Sequence, residues 1–496
     1  MCDISYTFTN EKVVRNKFTS LRNLLGRYET LEYMKKDQNI DSLNNYEFEE
    51  VVGDFIEIDG DFMPDSAPSI QNMRYKSCEE IVSELMNQRC AWSVIYFNSQ
   101  LGKVFVGRDV FGRQSLVFSS DSSSITISRI GRPTTVEWHE LPYAQVSFFD
   151  LSNLFSSLYF YSYLQEYPYE MDLPWRSLFS TVHQHRNHEK DRLITVSRSI
   201  SPSTSHCDLS GHLISAINLL LPPSLDSVGV CFSGGVDSLL ISHLLLSTLS
   251  SSVPIYLINV AFGDDPIFIS RASDRSRSIE AFLFLEKRFP QHDLHLILVD
   301  VSRCSLEAAR SVLIPLSTRP SLTILDESIA VVLHFAFRGI GIDYNTKMEI
   351  KCTSSVRFMG SGADEIFAGY SRHRQRYERD GNSSGIAEEC EMELRRLGVR
   401  NGGRDSRVAL VLGVEIKAPF LHDDLVEWAN GICIEDKADL SLPRGVGEKK
   451  MIRECLRDLN APHRAHKQAM QFGSGMVKLE NKKNCKASHL STHLEI

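Results

Sequence analysis

The sequence predicts an α+β half followed by an α/β half built on a doubly wound parallel sheet. Three observations lead there. Up to about residue 165, short apolar runs alternate with turn signals and few segments have helical periodicity, which describes a layered, β-rich domain. From about residue 209, strand-length apolar runs alternate with helix-length ones, the pattern of βαβ units. Within that second half, Val230-Cys231-Phe232-Ser233-Gly234-Gly235-Val236-Asp237-Ser238 reads as a buried strand, a tight glycine turn and a helix start. On a parallel sheet, ligands bind beyond the carboxyl ends of the strands, and this turn lies at such an end.

In chain order, the first domain is expected over residues 1–165. Strands are predicted at 55–58, 91–97, 103–107, 115–118 and 124–128, with hairpin spacing across 98–102. An aromatic patch (Phe155, Tyr159, Phe160, Tyr161, Tyr163) leads into a linker over 166–208, whose segment 197–205 reads as a flexible polar loop. The second domain spans 209–477, with strands at 228–232, 255–262, 294–300 and 356–360. Helices are predicted at 238–249, 278–289 and 326–338, and the chain reads as mostly helical after Arg372. Residues 478–496 form a polar, lysine-rich tail.

A length of 496 residues leaves room for several domains, and 42% hydrophobic with 24% charged residues fits a soluble globular chain. The net charge of −9 argues against nucleic acid as the main partner, since phosphate backbones require a basic face. No apolar run approaches a membrane span, and no signal peptide opens the chain. Eleven scattered cysteines without a Cys-x-x-Cys pair fit reduced thiols, so a cytoplasmic location is expected. His183, His185 and His188 are read as a solvated loop in preference to a metal site, because no cysteine or carboxylate partner has suitable spacing. Trp92 and Trp138 are read as core anchors.

The chemistry concentrates in two loops and one lysine. Gly234 and Gly235 let backbone N–H groups approach an anion that a Cβ would repel. The helix start adds unpaired N–H donors, Ser233 and Ser238 add hydroxyls, and Asp237 adds a carboxylate whose natural partner is Mg²⁺. The alternative is an ordinary turn in which Asp237 or Ser238 caps the helix. Arg357-Phe358-Met359-Gly360-Ser361-Gly362-Ala363-Asp364-Glu365 repeats the design. Asp364 and Glu365 serve as helix-terminal carboxylates, or Asp364 shares Mg²⁺ and pyrophosphate with Asp237. Lys449 opens a further helix and is either a solvated surface lysine or the cation that neutralises an α-phosphate.

Ser-Gly-Gly-x-Asp-Ser resembles the pyrophosphate loop of the N-type ATP pyrophosphatases, and no Walker lysine follows it. Over about 210–475 the chain is similar to the synthetase domain of glutamine-dependent asparagine synthetases. The matching stretches are 233–238, 360–365 with Ala368-Gly369-Tyr370, 404–405, 413–421, Gly447-Glu448-Lys449 and 467–472. Residues 369–374 and 469–473 resemble a divergent branch of that family. The resemblance implies ATP and Mg²⁺ as cofactors, aspartate and glutamine or ammonia as substrates, and adenylation followed by amide formation. It implies that Ser233, Gly234, Gly235, Asp237 and Ser238 hold phosphates and Mg²⁺, with Val260 lining the adenine pocket. Gly360 would approach the nucleotide, Asp364 would meet pyrophosphate or Mg²⁺, and Lys449 would stabilise the adenylation transition state. One departure stands out: the family's glutamate between the two glycines of the second loop is Ser361 here. A hydroxyl with no base cannot replace a carboxylate in proton transfer.

Cys2 stands where class II glutamine amidotransferases keep their nucleophile, which implies an Ntn-type domain in which a free α-amine activates the thiol. Arg108 to Leu116 resembles that family's Arg-Asp-x-x-Gly-x-x-x-Leu turn. Other elements are altered. Arg27 lies in the segment that would clamp the glutamine carboxylate, and Asp59-Gly60 stands for the family's oxyanion Asn-Gly. An aspartate there removes an NH₂ donor and adds negative charge where an oxyanion forms. Three readings remain: an asparagine-synthetase-like amidotransferase, another adenylating ligase, or a degenerate member that binds nucleotide or protein without turnover. A homo-oligomer or an unknown protein partner is compatible with all three.

Overall fold

A computed structural model describes residues 3–10, 12–18, 46–50, 53–61, 68–131, 137–163, 169–187, 190–197, 206–320, 323–464 and 468–480. Cys2, Arg27, His188, the loop 198–205, Lys467 and residues 481–496 lie outside them.

The first part contains β1 (Asp3–Thr9), β2 (Val13–Phe18), β3 (Tyr46–Glu50), β4 (Phe55–Gly60), β5 (Trp92–Asn98) and β6 (Lys103–Arg108). It continues with β7 (Val117–Ser120), β8 (Ser124–Ser128), β9 (His139–Glu140), β10 (Gln145–Asp150), β11 (Ser157–Ser162) and β12 (Thr181–Arg186). They form two six-stranded sheets, ordered β3-β2-β1-β8-β7-β9 and β12-β11-β10-β6-β5-β4. Alternation decides how these sheets stack. Tyr6, Phe8, Ile125 and Ile127 from the first meet Ile95, Val104, Val106 and Phe149 from the second in one core, with Trp175 inserted.

The second sheet is apolar on its other face too. Trp92, Val94, Tyr96, Phe105 and Phe148 belong to a larger core that continues into the C-terminal half. That explains why β5 is buried along its whole length.

The C-terminal half holds β13 (Val228–Cys231), β14 (Ile255–Phe262), β15 (Leu294–Val301), β16 (Ile340–Asp343), β17 (Glu349–Lys351), β18 (Val356–Phe358) and β19 (Glu415–Lys417). The sheet order is β17-β16-β15-β14-β13-β18-β19. The strands from β15 to β19 in that order are mutually parallel, and an antiparallel hairpin, β16 and β17, closes one edge. Helices cover both faces, and β14 shows how: Ile255 and Leu257 enter one core, Tyr256, Ile258 and Val260 the other. The chain is therefore mixed α/β with several sheets. Sheet growth changes direction between β13 and β18, which leaves a crevice at their carboxyl ends.

Several elements differ from the sequence expectation. Thr181–Arg186, placed in the linker, is an edge strand paired in parallel with β11. His183 and His185 are accordingly not in a loop: they stack on Tyr159 and Tyr161 at 4.4 and 4.5 Å between ring centroids. A polar edge strand buries neither face, so it carries no apolar alternation to read. The helix His206–Leu220 starts inside the expected linker, and the helix Met476–Glu480 runs past the expected start of the tail. Trp92 and Trp138 are buried, and no group of three or more potential metal-binding side chains occurs among the described residues. No helix among them is long and apolar enough to cross a membrane.

Phe149 joins the two N-terminal sheets, lying 6.0 Å from both the Phe8 and Trp175 rings. Phe149→Ala should cost about 3–5 kcal/mol of unfolding free energy. Urea denaturation followed by tryptophan fluorescence measures this, and a loss below about 1 kcal/mol would show that the sheets are not held by this core.

Candidate functional site

β13 and β18 are hydrogen-bonded neighbours, with Gly229 opposite Arg357 and Val230 opposite Phe358. Their carboxyl ends deliver the two glycine corners side by side. In the first corner Gly234 has φ +69°, and a Cβ there would approach the Ser278 amide nitrogen to 2.5 Å. The helix that follows, Val236–Thr248 (α1), has Gly235 at its N-cap and no side-chain cap. Neither Asp237 nor Ser238 caps it, so the alternative of ordinary capping does not describe this turn. Ser238 instead donates back to the Gly235 carbonyl at 3.2 Å, and Ser233 Oγ accepts from the Gly235 N–H at 3.3 Å.

The second corner presses against the first. A Cβ on Gly360 would lie 2.8 Å from Asp237 Cβ, so only glycine lets the loops meet this closely. Gly362 adopts φ +96° and turns the chain into the one-turn helix Ala363–Ile366 (α2), again without a side-chain cap. Glu365 accepts a hydrogen bond from the Tyr370 hydroxyl at 2.6 Å. Burial, with Glu365 and Asp364 close by, raises the Tyr370 phenol well above its ordinary value.

Lys449 joins the corners. It is not a solvated lysine: its side chain is 2% exposed, and its ammonium lies 2.5 Å from Asp237 Oδ2 and 2.8 Å from Asp364 Oδ1. It precedes the helix Lys450–Asp458 (α3) in the left-handed conformation, φ 54°. A non-glycine residue pays for that conformation, and here its surroundings hold it in place. Its N–H donates to Phe367 O at 3.0 Å. Glu448 is tied to Arg374 at 2.6 and 2.9 Å and to the Gly445 N–H at 2.9 Å. Burial opposes the Glu448 charge, but these donors win and lower its carboxyl below the ordinary value.

A cavity of 1290 Å³ opens from these corners. Ser233, Asp237, Ser238, Gly360 and Asp364 line one end, and Val260 lies on an apolar wall with Ile329, Val332, Met359 and Met470. The far end holds Arg404, which pairs with Asp405 at 2.7 Å and with Asp326 at 2.9 Å. Beside it a π-helical turn, Gly398–Gly402, sends Val399, Arg400 and Asn401 to the cavity. Sequence reasoning missed this turn, although its glycines at 398 and 402 were a signal. Ser361 also faces the cavity.

These residues fit Mg²⁺ and a nucleotide. Asp237 Oδ1 is buried with no hydrogen-bond partner, and Asp364 stands across Lys449 from it. Two carboxylates and two hydroxyls supply hard oxygen donors, and the glycine corner leaves room for phosphate. The N-terminal candidates are placed differently. Asp59 and Gly60 end β4, opposite Ser93 and Trp92. The Arg108 to Leu116 segment is a turn whose Asp109 accepts from the backbone N–H groups of Trp92, Phe111 and Arg113.

No family model matches the chain. Asparagine synthetase domain-containing protein 1 of Mus musculus is 28% identical over 525 residues, covering 85% of this chain and 83% of its own length. A protein of Methanocaldococcus jannaschii named putative asparagine synthetase [glutamine-hydrolyzing] 1 is 27% identical, covering 43% of this chain and 34% of its own. The solved glutamine phosphoribosylpyrophosphate amidotransferase from B. subtilis superposes with a TM-score of 0.15 at 11% identity, over 51% of this chain and 47% of that one. That overlap is too small to bear on the fold.

Three buried histidines make the fold acid-sensitive. Burial, aided by neighbouring arginines, lowers His243 and His373 to about 4 and His334 to about 3. The unfolded chain protonates these rings near pH 6.5 while the folded chain does not. Stability is therefore complete above about pH 6.5 and falls as the pH drops toward about 4, by up to about 1.4 kcal/mol per pH unit for each ring. Urea midpoints should fall between pH 7 and pH 5, and less steeply in His373→Gln. An equal slope in that variant would remove His373 from the account.

Proposed function

We propose, from its likeness to the asparagine synthetase domain-containing proteins, that the chain is an ATP-dependent amidotransferase of the asparagine synthetase type. One observation carries the proposal: Lys449 meets both Asp237 and Asp364 at the tips of neighbouring parallel strands. That arrangement suits a triphosphate cleaved between its α and β phosphates.

In this reading, Gly234, Gly235 and the uncapped start of α1 hold the pyrophosphate, with Ser233 donating from its hydroxyl and Ser238 doing so once its hydroxyl turns from the Gly235 carbonyl. Asp237 and Asp364 would hold Mg²⁺, which when bound supplies neutralising charge to the departing pyrophosphate. Gly360 gives the nucleotide backbone-close access, and Val260 contributes to the apolar slot for the base. The β-carboxylate of aspartate attacks the α-phosphorus, and Lys449 neutralises the charge that builds there. Ammonia then displaces AMP to give asparagine. In the N-terminal half, Cys2 would release ammonia from glutamine, Arg27 would hold the glutamine carboxylate, and Asp59 with Gly60 would flank the oxyanion. The proposed architecture is an Ntn-type domain followed by an ATP pyrophosphatase domain.

A second reading has its own observation. Ser361 stands in the cavity where the family carries a glutamate, so the attacking ammonia has lost its usual proton acceptor. Asp59 weakens the glutaminase in the same sense. A member that binds nucleotide, or adenylates without completing the amide, would look like this.

The assay supplies ATP, Mg²⁺ and aspartate with either glutamine or ammonium, and measures pyrophosphate, AMP and asparagine. The proposal expects aspartate-dependent pyrophosphate release, reduced about 100-fold or more by Asp237→Asn or Lys449→Met. Cys2→Ala should remove the glutamine-driven product and spare the ammonium-driven one. Pyrophosphate without asparagine selects stalled adenylation, and nucleotide binding without pyrophosphate selects the non-catalytic reading. Unchanged release in Asp237→Asn would remove the site assignment.

A further inference from the structure

Beneath the second glycine corner lies a buried ionic cluster that belongs to neither half alone. Asp61 directly follows β4, and its N–H donates to Ala91 O at 2.9 Å. Its carboxylate is paired with the ammonium of Lys417 on β19, and both side chains are 8% exposed. The two residues stand 356 positions apart in sequence. Burial lifts the Asp61 carboxyl above its ordinary value, and the Lys417 and Arg113 charges oppose that rise.

Arg113 makes a second crossing. Its guanidinium donates to Asp109 Oδ1 at 2.8 Å and to Cys90 O at 2.7 Å within the N-terminal half. Across the boundary it donates to Leu421 O and to Asp423 Oδ1, the latter at 2.8 Å. Lys190 reaches the other oxygen of Asp423 at 3.3 Å. Three cations, Lys190, Arg113 and Lys417, thus face three aspartates, Asp61, Asp109 and Asp423.

Both crossings end on the corner that carries Ser361. The Lys417 carbonyl accepts the Met359 N–H at 2.9 Å, one residue before Gly360. The Leu421 side chain packs on Gly362, where a Cβ would come within 2.5 Å of Leu421 Cδ2. One tie fixes the entry to the corner, the other its exit. A buried ion pair contributes little net stability beside a well-packed apolar substitute, because desolvation cancels most of its attraction. Stability is therefore a poor explanation for two such crossings at one loop.

We infer that Asp61, Lys417 and Arg113 are positioning residues that set the second nucleotide corner from the N-terminal half, so that the state of β4 is felt at Gly360–Gly362. Coupling is reciprocal by thermodynamic necessity: whatever shifts the Asp61 strand changes nucleotide affinity, and nucleotide binding restrains that strand. The inference rests on the reading that the corners hold ATP, and the experiment separates the two.

The full chain carrying Asp61→Leu with Lys417→Met removes both charges at once and leaves neither ion buried alone. Its Tm should stay within a few degrees of the unmodified chain. ATP with Mg²⁺, titrated calorimetrically, should bind about 5–10-fold more weakly, and amide hydrogens of residues 359–366 should exchange faster. Arg113→Lys, which keeps the charge but loses the fork, is the second variant if the first fails to fold, and the same changes are expected of it. ATP binding by the unmodified chain with equal affinity in the variant overturns the coupling and leaves the functional reading intact. No ATP binding by the unmodified chain overturns the functional reading; the exchange rates then decide, with unchanged rates at 359–366 overturning the tie as well.

Discussion

The ammonium of Lys449, lodged between Asp237 and Asp364, is the contact on which the rest of this structure depends. Three charges held this far from water must be matched, and their partners come from three separate stretches of chain. Asp237 needs the end of β13, Asp364 the end of β18, and Lys449 a helix start more than 80 residues further on. Each approach demands something of the backbone. Gly360 has no side chain because Asp237 stands there, Gly369 none because Asp364 and Lys449 do, and Lys449 accepts a left-handed conformation to face inward. Such features persist only where the surroundings over-determine them. Their concentration around one ammonium is why the proposed function centres on that point.

Sheet order makes the meeting possible. β13 and β18 lie side by side although some 125 residues separate them, because the sheet grows first toward β15 and then, from β13 again, toward β19. The crevice at that reversal is where a ligand finds two loops rather than one. The N-terminal half is more than an appendage to it. The central strands of its second sheet, β5, β6 and β10, are buried on both faces and share their outer core with the helices behind β13. Tyr143 packs on Gly398 and donates to Arg395 O, which fixes the π-helical turn at the far end of the cavity. The cavity is thus framed from both halves.

What the sequence reveals and hides follows from the same physics. The strands 255–262 and 103–108 were legible because both read as continuous or alternating apolar runs between turns. Asp3–Thr9 also alternates, with Tyr6 and Phe8 buried, but it is short and isolated at the chain start. Thr181–Arg186 was illegible because an exposed edge strand has no buried face to record. At the site, the residue types of both glycine corners and of Lys449 were legible from their local chemistry. The meeting of the two corners was expected from their shared design, but the contact of Lys449 with both aspartates was not, since pairing across 212 residues leaves no local period. The Asp61–Lys417 and Arg113–Asp423 pairs are the extreme case, because each half alone shows only an ordinary charged residue beside a strand or turn.

The position of Ser361 acquires meaning from this arrangement. Packing alone already requires glycine at 360 and 362, since a Cβ would strike Asp237 at the first and Leu421 at the second. The position between these two glycines is different: Ser361 faces open cavity and carries no carboxylate. Packing likewise gives no reason for an aspartate with an unpartnered buried oxygen beside a buried lysine, an arrangement costly to keep. Under the proposed function, the step that Ser361 weakens is proton removal from the incoming nucleophile, while the grip on the phosphates does not pass through it. Within that proposal the adenylating half of the reaction is therefore better supported by this chain's residues than the amide-forming half.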